Sequence, residues 1–190
     1  MYNNTVAFSD CKKVFYLNRN RIIETGFNRL TKSKNGVLLY NKNDMYIGKS
    51  IEKYGEFSEL ESKLFQQICK DKDIVFEVGA NIGAHTVNLS KFVGKGFVFA
   101  FEPQRIVFQN LCANIALNSI SNVFTFQEAV GDENGKILIP ECDFSKINNF
   151  GGINIENSTS GTQVNKIKLD NFVNKIDRLK LLKIDVEGME

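Results

Sequence analysis

The chain has 190 residues, 43% hydrophobic and 24% charged, with a net charge of +2. That is enough for one domain with a real core, and the near-balanced charge gives no case for a general nucleic-acid or membrane surface. Apolar runs stay short of the roughly 18–20 residues of a spanning helix, the opening MYNNTVAFSDCKK has no signal-peptide pattern, and four cysteines without a CxxC pair, beside a single histidine, argue against a zinc cluster. Free thiols in a reducing, cytoplasmic setting are the expectation.

Residues 1–35 are polar and read as irregular. Residues 36–40 and 45–48 are short β-like runs flanking the turn-rich NKND of 41–44, which predicts a hairpin. Residues 58–70 predict a helix, with Ser58 and Glu61 in a capping-box spacing and Leu60, Leu64, Phe65 and Ile68 on one face. A strand at 73–78 leads into a glycine turn, and a helix at about 84–92 turns Val87 and Phe92 inward. The all-apolar FVFAF of 97–101 suits a parallel strand buried on both faces. Pro103 suits the first turn of the next helix, which runs to about residue 118 with Val107, Leu111, Ile115 and Leu117 as its stripe. A third strand spans 123–126 and reaches 130, and 136–139 predicts an added antiparallel strand. Residues 144–164 are rich in Asn, Gly, Ser and Thr and long for a connection, which suggests a binding loop. A strand near 166–170, a short helix and a core strand at 181–186 follow, with Asp185 near the end of the last. The alternation of strands and helices predicts an open α/β sheet built from right-handed βαβ units. Residues 1–57 are expected to form an N-terminal extension carrying the hairpin, and 58–190 the main domain.

The centre of this pattern is DIVFEVGANIG at 73–83. Strand, glycine turn and helix is how an open α/β sheet forms a cofactor crevice at the carboxyl ends of its strands. A dinucleotide site wants G-x-G-x-x-G, whereas Asn81 and Ala84 stand at the second and third glycine positions. S-adenosylmethionine has no pyrophosphate and makes no such demand. Glu77 is a carboxylate in an apolar strand, costly to bury without a partner; the ligand's ammonium is one candidate, a lysine or backbone donor the other. Glu102, ending the second strand, is placed for two ribose hydroxyls, although a dinucleotide site uses the same feature and a helix N-terminus also favours an acid. Glu128 and Ala129 can frame an adenine or simply face solvent.

EVGANIG at 77–83, AFEP at 100–103, EAVG at 128–131, NFGG at 149–152 and KIDVEGME at 183–190, with YGEFSE at 54–59 upstream, together resemble the FkbM family of S-adenosylmethionine-dependent methyltransferases. The resemblance implies a Rossmann-like open sheet of the class I methyltransferase type and O-methylation of a hydroxyl on a sugar, glycan or natural product. By resemblance, Glu77, Gly79, Asn81 and Gly83 hold the methionyl part, Glu102 the ribose, and Glu128 and Ala129 the adenine. Asp185 and Glu187 sit beside the methyl group. The family pattern continues past DVEG, so the sequence reads as truncated at the C-terminus, or completed by a partner.

For the chemistry, an acceptor hydroxyl attacks a methyl group in line and is helped by a base. Asp185, Glu187 and His85 are the candidates. Asp185 also reads as a ligand-positioning acid, and His85 as a plain polar residue in the first turn of its helix. Phe150 in the Asn/Gly loop divides between substrate contact and packing, and the basic stretch 12–34 between an anionic substrate and a solvated face. The competing functions are a non-catalytic cofactor-binding module and a nicotinamide-dependent oxidoreductase, the latter wanting glycine at 81.

Overall fold

The computed structural model describes residues 21–153 and 158–186. Three antiparallel strands open it: β1 (Arg21–Thr25), β2 (Asn28–Ser33) and β3 (Gly36–Asn41). Helices α1 (Ile47–Tyr54) and α2 (Glu59–Ile68) follow. Then come β4 (Ile74–Val78), α3 (Thr86–Val93), β5 (Phe97–Phe101), α4 (Arg105–Leu117) and β6 (Val123–Phe126). The chain continues through β7 (Glu128–Val130), β8 (Gly135–Ile139), β9 (Thr162–Ile167), a 3-10 helix (Leu169–Lys175) and β10 (Leu181–Ile184).

The central sheet is parallel, in the order β10-β4-β5-β6. The chain moves outward from β4 to β6, then returns to lay β10 on the other side of β4. The strand order therefore reverses between β4 and β10, and that reversal is where open α/β sheets bind ligands. Strand alternation divides the sheet's side chains between two layers. Val75 and Val98 face Phe65, Leu89 and Val93 of α2 and α3. Ala100 faces Val107 and Leu111 of α4. On the opposite face Phe76, Val78 and Phe101 pack on Phe172 of the 3-10 helix. Phe76, Phe99, Phe101 and Phe126 all make ring contacts with Phe172 between 5.5 and 5.8 Å. Five of the sequence's 16 phenylalanines thus form one aromatic layer on this face of the sheet. A smaller sheet, β7-β9-β8, lies beside it.

Several expectations shift. The hairpin partner of 36–41 is β2, not 45–48, which begins α1. The buried Asp44 carboxylate explains this: it accepts the Tyr46 amide at 2.8 Å, and the Ile47 and Gly48 amides also turn toward it, so a capping acid starts a helix where alternation suggested a strand. Residues 21–33, read as irregular, supply β1 and β2. Residues 1–20 lie outside the described residues.

Ser58 does not cap α2. It adopts a left-handed conformation at φ 47° with no side-chain bond to the helix, and Glu61 reaches toward His85 instead. Leu60 is 80% exposed and Leu64 is also exposed; the inward stripe is Ser62, Phe65 and Cys69. Pro103 precedes α4, because Glu102 Oε1 accepts the Gln104 amide at 2.8 Å and delays the first helical residue to Arg105. The expected strand 123–130 breaks at Gln127. β6 stays in the parallel sheet, while β7 pairs with β9. Among the described residues no helix is long and apolar enough to cross a membrane.

Candidate functional site

The carboxyl ends of β4, β5 and β10 converge on a cavity of about 350 Å³ lined by Gly79, Asn81, Glu102, Asp185, Asn149 and Gly151, with Tyr46, Ile47 and Phe57 on its outer wall. The turn after β4 is held by two amides, Gly79 and Ala80, that both donate to the Phe101 carbonyl at 3.0 and 2.9 Å. Gly79 has φ 76°, and a Cβ there would fall on the Asp185 carbonyl oxygen. Only glycine lets β10 end so close to the turn. Gly83, at φ 82°, leaves room for Leu111 of α4. Asn81 is itself left-handed at φ 52°, a conformation that asparagine tolerates better than most residues.

Two carboxylates are buried here. Glu102 accepts the Asn81 amide on Oε2 at 3.0 Å and the Gln104 amide on Oε1 at 2.8 Å. Each oxygen keeps one lone pair for a ligand. Burial pushes the Glu102 carboxyl up to about 7, and the two amides, with Lys183 further off, oppose that rise. Glu77 is fully enclosed and accepts the Thr86 hydroxyl at 2.7 Å. Burial pushes it to about 7 as well, against the pull of Lys183 and Thr86, while Asp185 and Glu61 add to the rise. Lys183 lies opposite Glu77 in the β10–β4 register, and its ammonium donates to Asp185 Oδ2 at 3.2 Å. Asp185 itself is exposed toward the opening, with 61% of its side chain accessible.

The predicted residues divide. Gly79, Asn81, Glu102 and Asp185 line one cavity. Glu77 and Gly83 are not in its lining: Glu77 lies in β4, two residues before Gly79, and Gly83 in the turn, two residues after Asn81. His85 does not line it: the ring is buried between Phe57 and Phe65, with centroids 5.6 and 5.4 Å away. Its Nδ1 lies 3.4 Å from the Ser62 hydroxyl. Its Nε2 is 3.3 Å from Glu61 but out of line for a hydrogen bond. Burial, followed by the nearby Lys183 charge, lowers its pKa. Ala129 packs with Ile139 and Val164 in the smaller sheet, and neither it nor Glu128 is in the lining. Glu187 lies outside the described residues. Phe150 resolves as packing, buried and stacked on Phe144 at 4.7 Å; its neighbours Asn149 and Gly151 reach the cavity instead.

Sequence reasoning missed Lys183, Thr86 and the wall formed by Tyr46, Ile47 and Phe57. Lys183 was the findable one, as a lone charge in the apolar run LLKI. The wall had no local signal. It depends on residues 43–45 pairing with Asn148, where the Met45 amide donates to the Asn148 carbonyl at 3.0 Å and the Asn148 amide to Asn43 at 3.1 Å.

The reversed strand order, the glycine turn and the acid after β5 define a Rossmann-like open sheet with its crevice at the strand reversal. The sequence profile of the methyltransferase FkbM domain matches residues 77–190, and the chain belongs to that family. No curated protein sequence matches at a significant level. Among solved structures, TYW2 of M. jannaschii in complex with AdoMet is 20% identical, with a TM-score of 0.44 over 57% of this chain and 52% of that one. Trm5b of Pyrococcus abyssi is 17% identical, with a TM-score of 0.43 over 57% and 34%. An Aquifex aeolicus SAM-dependent methyltransferase is 27% identical, with a TM-score of 0.34 over 36% and 37%. The chain spans about half or less of each of these proteins.

Proposed function

We propose that the protein is an S-adenosylmethionine-dependent O-methyltransferase acting on a hydroxyl of a sugar, glycan or natural product. The observation that carries the cofactor half of this reading is the cavity at the strand reversal, where Glu102 presents two oxygens with lone pairs to spare and Gly79 keeps the backbone clear. The family supports the methyl-transfer half.

Bound there, S-adenosylmethionine supplies an electrophilic methyl group on sulfur. Glu102 would accept the ribose hydroxyls. Glu77, enclosed and short of a direct cation, would answer the methionyl ammonium, with Asn81 adding an amide beside the turn. Asp185 reaches the opening from the end of β10 and is the described residue best placed to take the acceptor's proton as its oxygen attacks. Its role would be to orient the hydroxyl as much as to deprotonate it, since position supplies most of the rate in such transfers. Tyr46, Ile47 and Phe57 would meet the acceptor. In this reading residues 58–190 form the methyltransferase domain, to whose cavity Tyr46, Ile47 and Phe57 of the 1–57 extension add a wall.

On this reading the reaction takes place in the cytoplasm, a reducing setting that would suit free thiols at Cys69, Cys112 and Cys142. β10 is the sheet's outer strand among the described residues, with Leu182 and Ile184 exposed; a partner or further segment pairing there belongs to the same reading.

Calorimetric titration with S-adenosylhomocysteine, with NAD as control, tests it. Saturable binding of the first alone is expected. Binding of NAD instead would replace the reading with a nicotinamide site, and binding of neither by the folded chain would favour a non-catalytic module.

A further inference from the structure

We infer that Lys183 is a positioning residue of the cofactor site, holding the Glu77 and Asp185 carboxylates in place from the adjoining strand β10. The inference rests on the proposed cofactor reading. Three observations carry it. First, Lys183 and Glu77 are direct neighbours across β10 and β4, on the face that packs against α2 and α3. Second, the Lys183 side chain is only 8% exposed, although lysine normally keeps its ammonium in water. Third, that ammonium is spent on Asp185, two residues on and on the same face, whose carboxylate reaches the opening. A buried cation is costly unless it is paired, and here the pair spans the point where β10 and β4 part.

The charged groups around Glu77 are known from each neighbouring element. They are Lys183 from β10, Asp185 after it and Glu61 from α2. Two of the three are acids. Lys183 is the one fixed cation among these described groups, so it alone favours an ionised Glu77. Lys183 also acts on Glu102, in the same direction. Below neutral pH the ligand's ammonium would meet an ionised Glu77 more often with Lys183 there than without it.

The test is binding of S-adenosylhomocysteine to the wild type, K183M, K183R, E77Q and the double variant E77Q/K183M, at about pH 6 and about pH 8.5. Methionine keeps the aliphatic stem and removes the charge. K183M is expected to bind about tenfold more weakly at the lower pH, which is the effect of about one unit in the Glu77 titration. It should converge on wild type at the higher pH, where Glu77 ionises unaided. K183R should stay close to wild type at both. In the E77Q background the same lysine change should do little. Equal affinity of K183M and wild type at both values overturns the inference. So does an equal loss at both in K183M and K183R, which marks a packing role. If K183M fails to fold, recovery of folding in E77Q/K183M supports the charge pair, and failure of both overturns it. Absence of binding by the wild type defeats the cofactor reading itself.

Discussion

At the level of single residues, the site depends on positions where one atom decides the outcome. Gly79 is the sharpest. Alanine there would carry a left-handed backbone, costing about 1–2 kcal/mol, and its Cβ would also meet the Asp185 carbonyl, a backbone atom that cannot move without β10. We expect Gly79→Ala to destabilise the protein by at least about 3 kcal/mol in denaturant unfolding. Gly26→Ala is the control, since Gly26 is also left-handed, at φ 57°, but has nothing within 4 Å of the added Cβ. It should lose only the backbone cost of about 1–2 kcal/mol. Equal losses at the two glycines would mean that the closeness of β10 to the turn is not a constraint. Glu102 offers a second contrast. Glu102→Ala removes the acceptor of two amides and, on the proposed reading, of the ribose hydroxyls. Charge-assisted bonds contribute about 1.5–3 kcal/mol each. Calorimetry should therefore show S-adenosylhomocysteine binding weakened by about tenfold to a hundredfold; unchanged affinity would move the ribose elsewhere.

Among the elements, the N-terminal meander is attached to the methyltransferase sheet by asparagines on α4. Asn114 is fully buried: its Oδ1 accepts the Leu39 amide at 2.6 Å, and its Nδ2 donates to the carbonyls of Leu39 at 3.0 Å and Ile82 at 2.7 Å. One turn later Asn118 repeats the pattern on Val37 of β3. Asn114→Ala strands these backbone groups without partners, at about 1–3 kcal/mol for each one left buried. The expected result is a loss of about 2–4 kcal/mol in global stability, with faster amide exchange in β3 and in the turn at Ile82. Exchange unchanged in β3 would show that the meander is held by its apolar contacts alone. This attachment also explains what the sequence could tell. β4, β5 and β6 were legible because local strand patterning and glycine punctuation mark them, and so was the turn, because its left-handed backbone at Gly79 and Gly83 is a local need that glycine meets. Glu102 and Asp185 were legible from their places at strand ends. The meander was not, because its partners lie some 75 to 81 positions away, and a stripe of polar asparagines does not read as a packing face. The start of α1 was hidden for a related reason: Asp44 resembles a turn residue until its buried carboxylate is seen capping a helix. Ser58 failed in the opposite sense, with the right residue types at the right spacing but a left-handed backbone that turns the hydroxyl away from the helix.

For the molecule as a whole, the two buried acids tie stability to pH in a direction opposite to that of most carboxylates. Glu77 and Glu102 are both raised by burial from an ordinary 4.5 to about 7. Between those values the folded protein holds protons that the unfolded chain has released, so folding is favoured less as pH rises. Their contribution is complete below about pH 4.5 and lost as pH climbs through about 7. His85 works in the other sense. Its pKa is lowered from 6.5, so its contribution is present above 6.5 and lost as pH falls toward the depressed value. The two effects oppose each other below 6.5, and above it the acids act alone. The ligand-free protein should therefore show a melting temperature that declines between about pH 6.5 and about pH 8, with a shallower decline in E77Q. Saturating S-adenosylhomocysteine should flatten the decline further, because its ammonium and ribose hydroxyls give the ionised acids the partners they lack. The ligand-induced rise in melting temperature would then grow with pH through neutrality. A melting temperature that falls just as steeply in E77Q would detach Glu77 from the effect. A ligand-induced rise that stays constant across the range would mean that the buried acids are not what the cofactor meets.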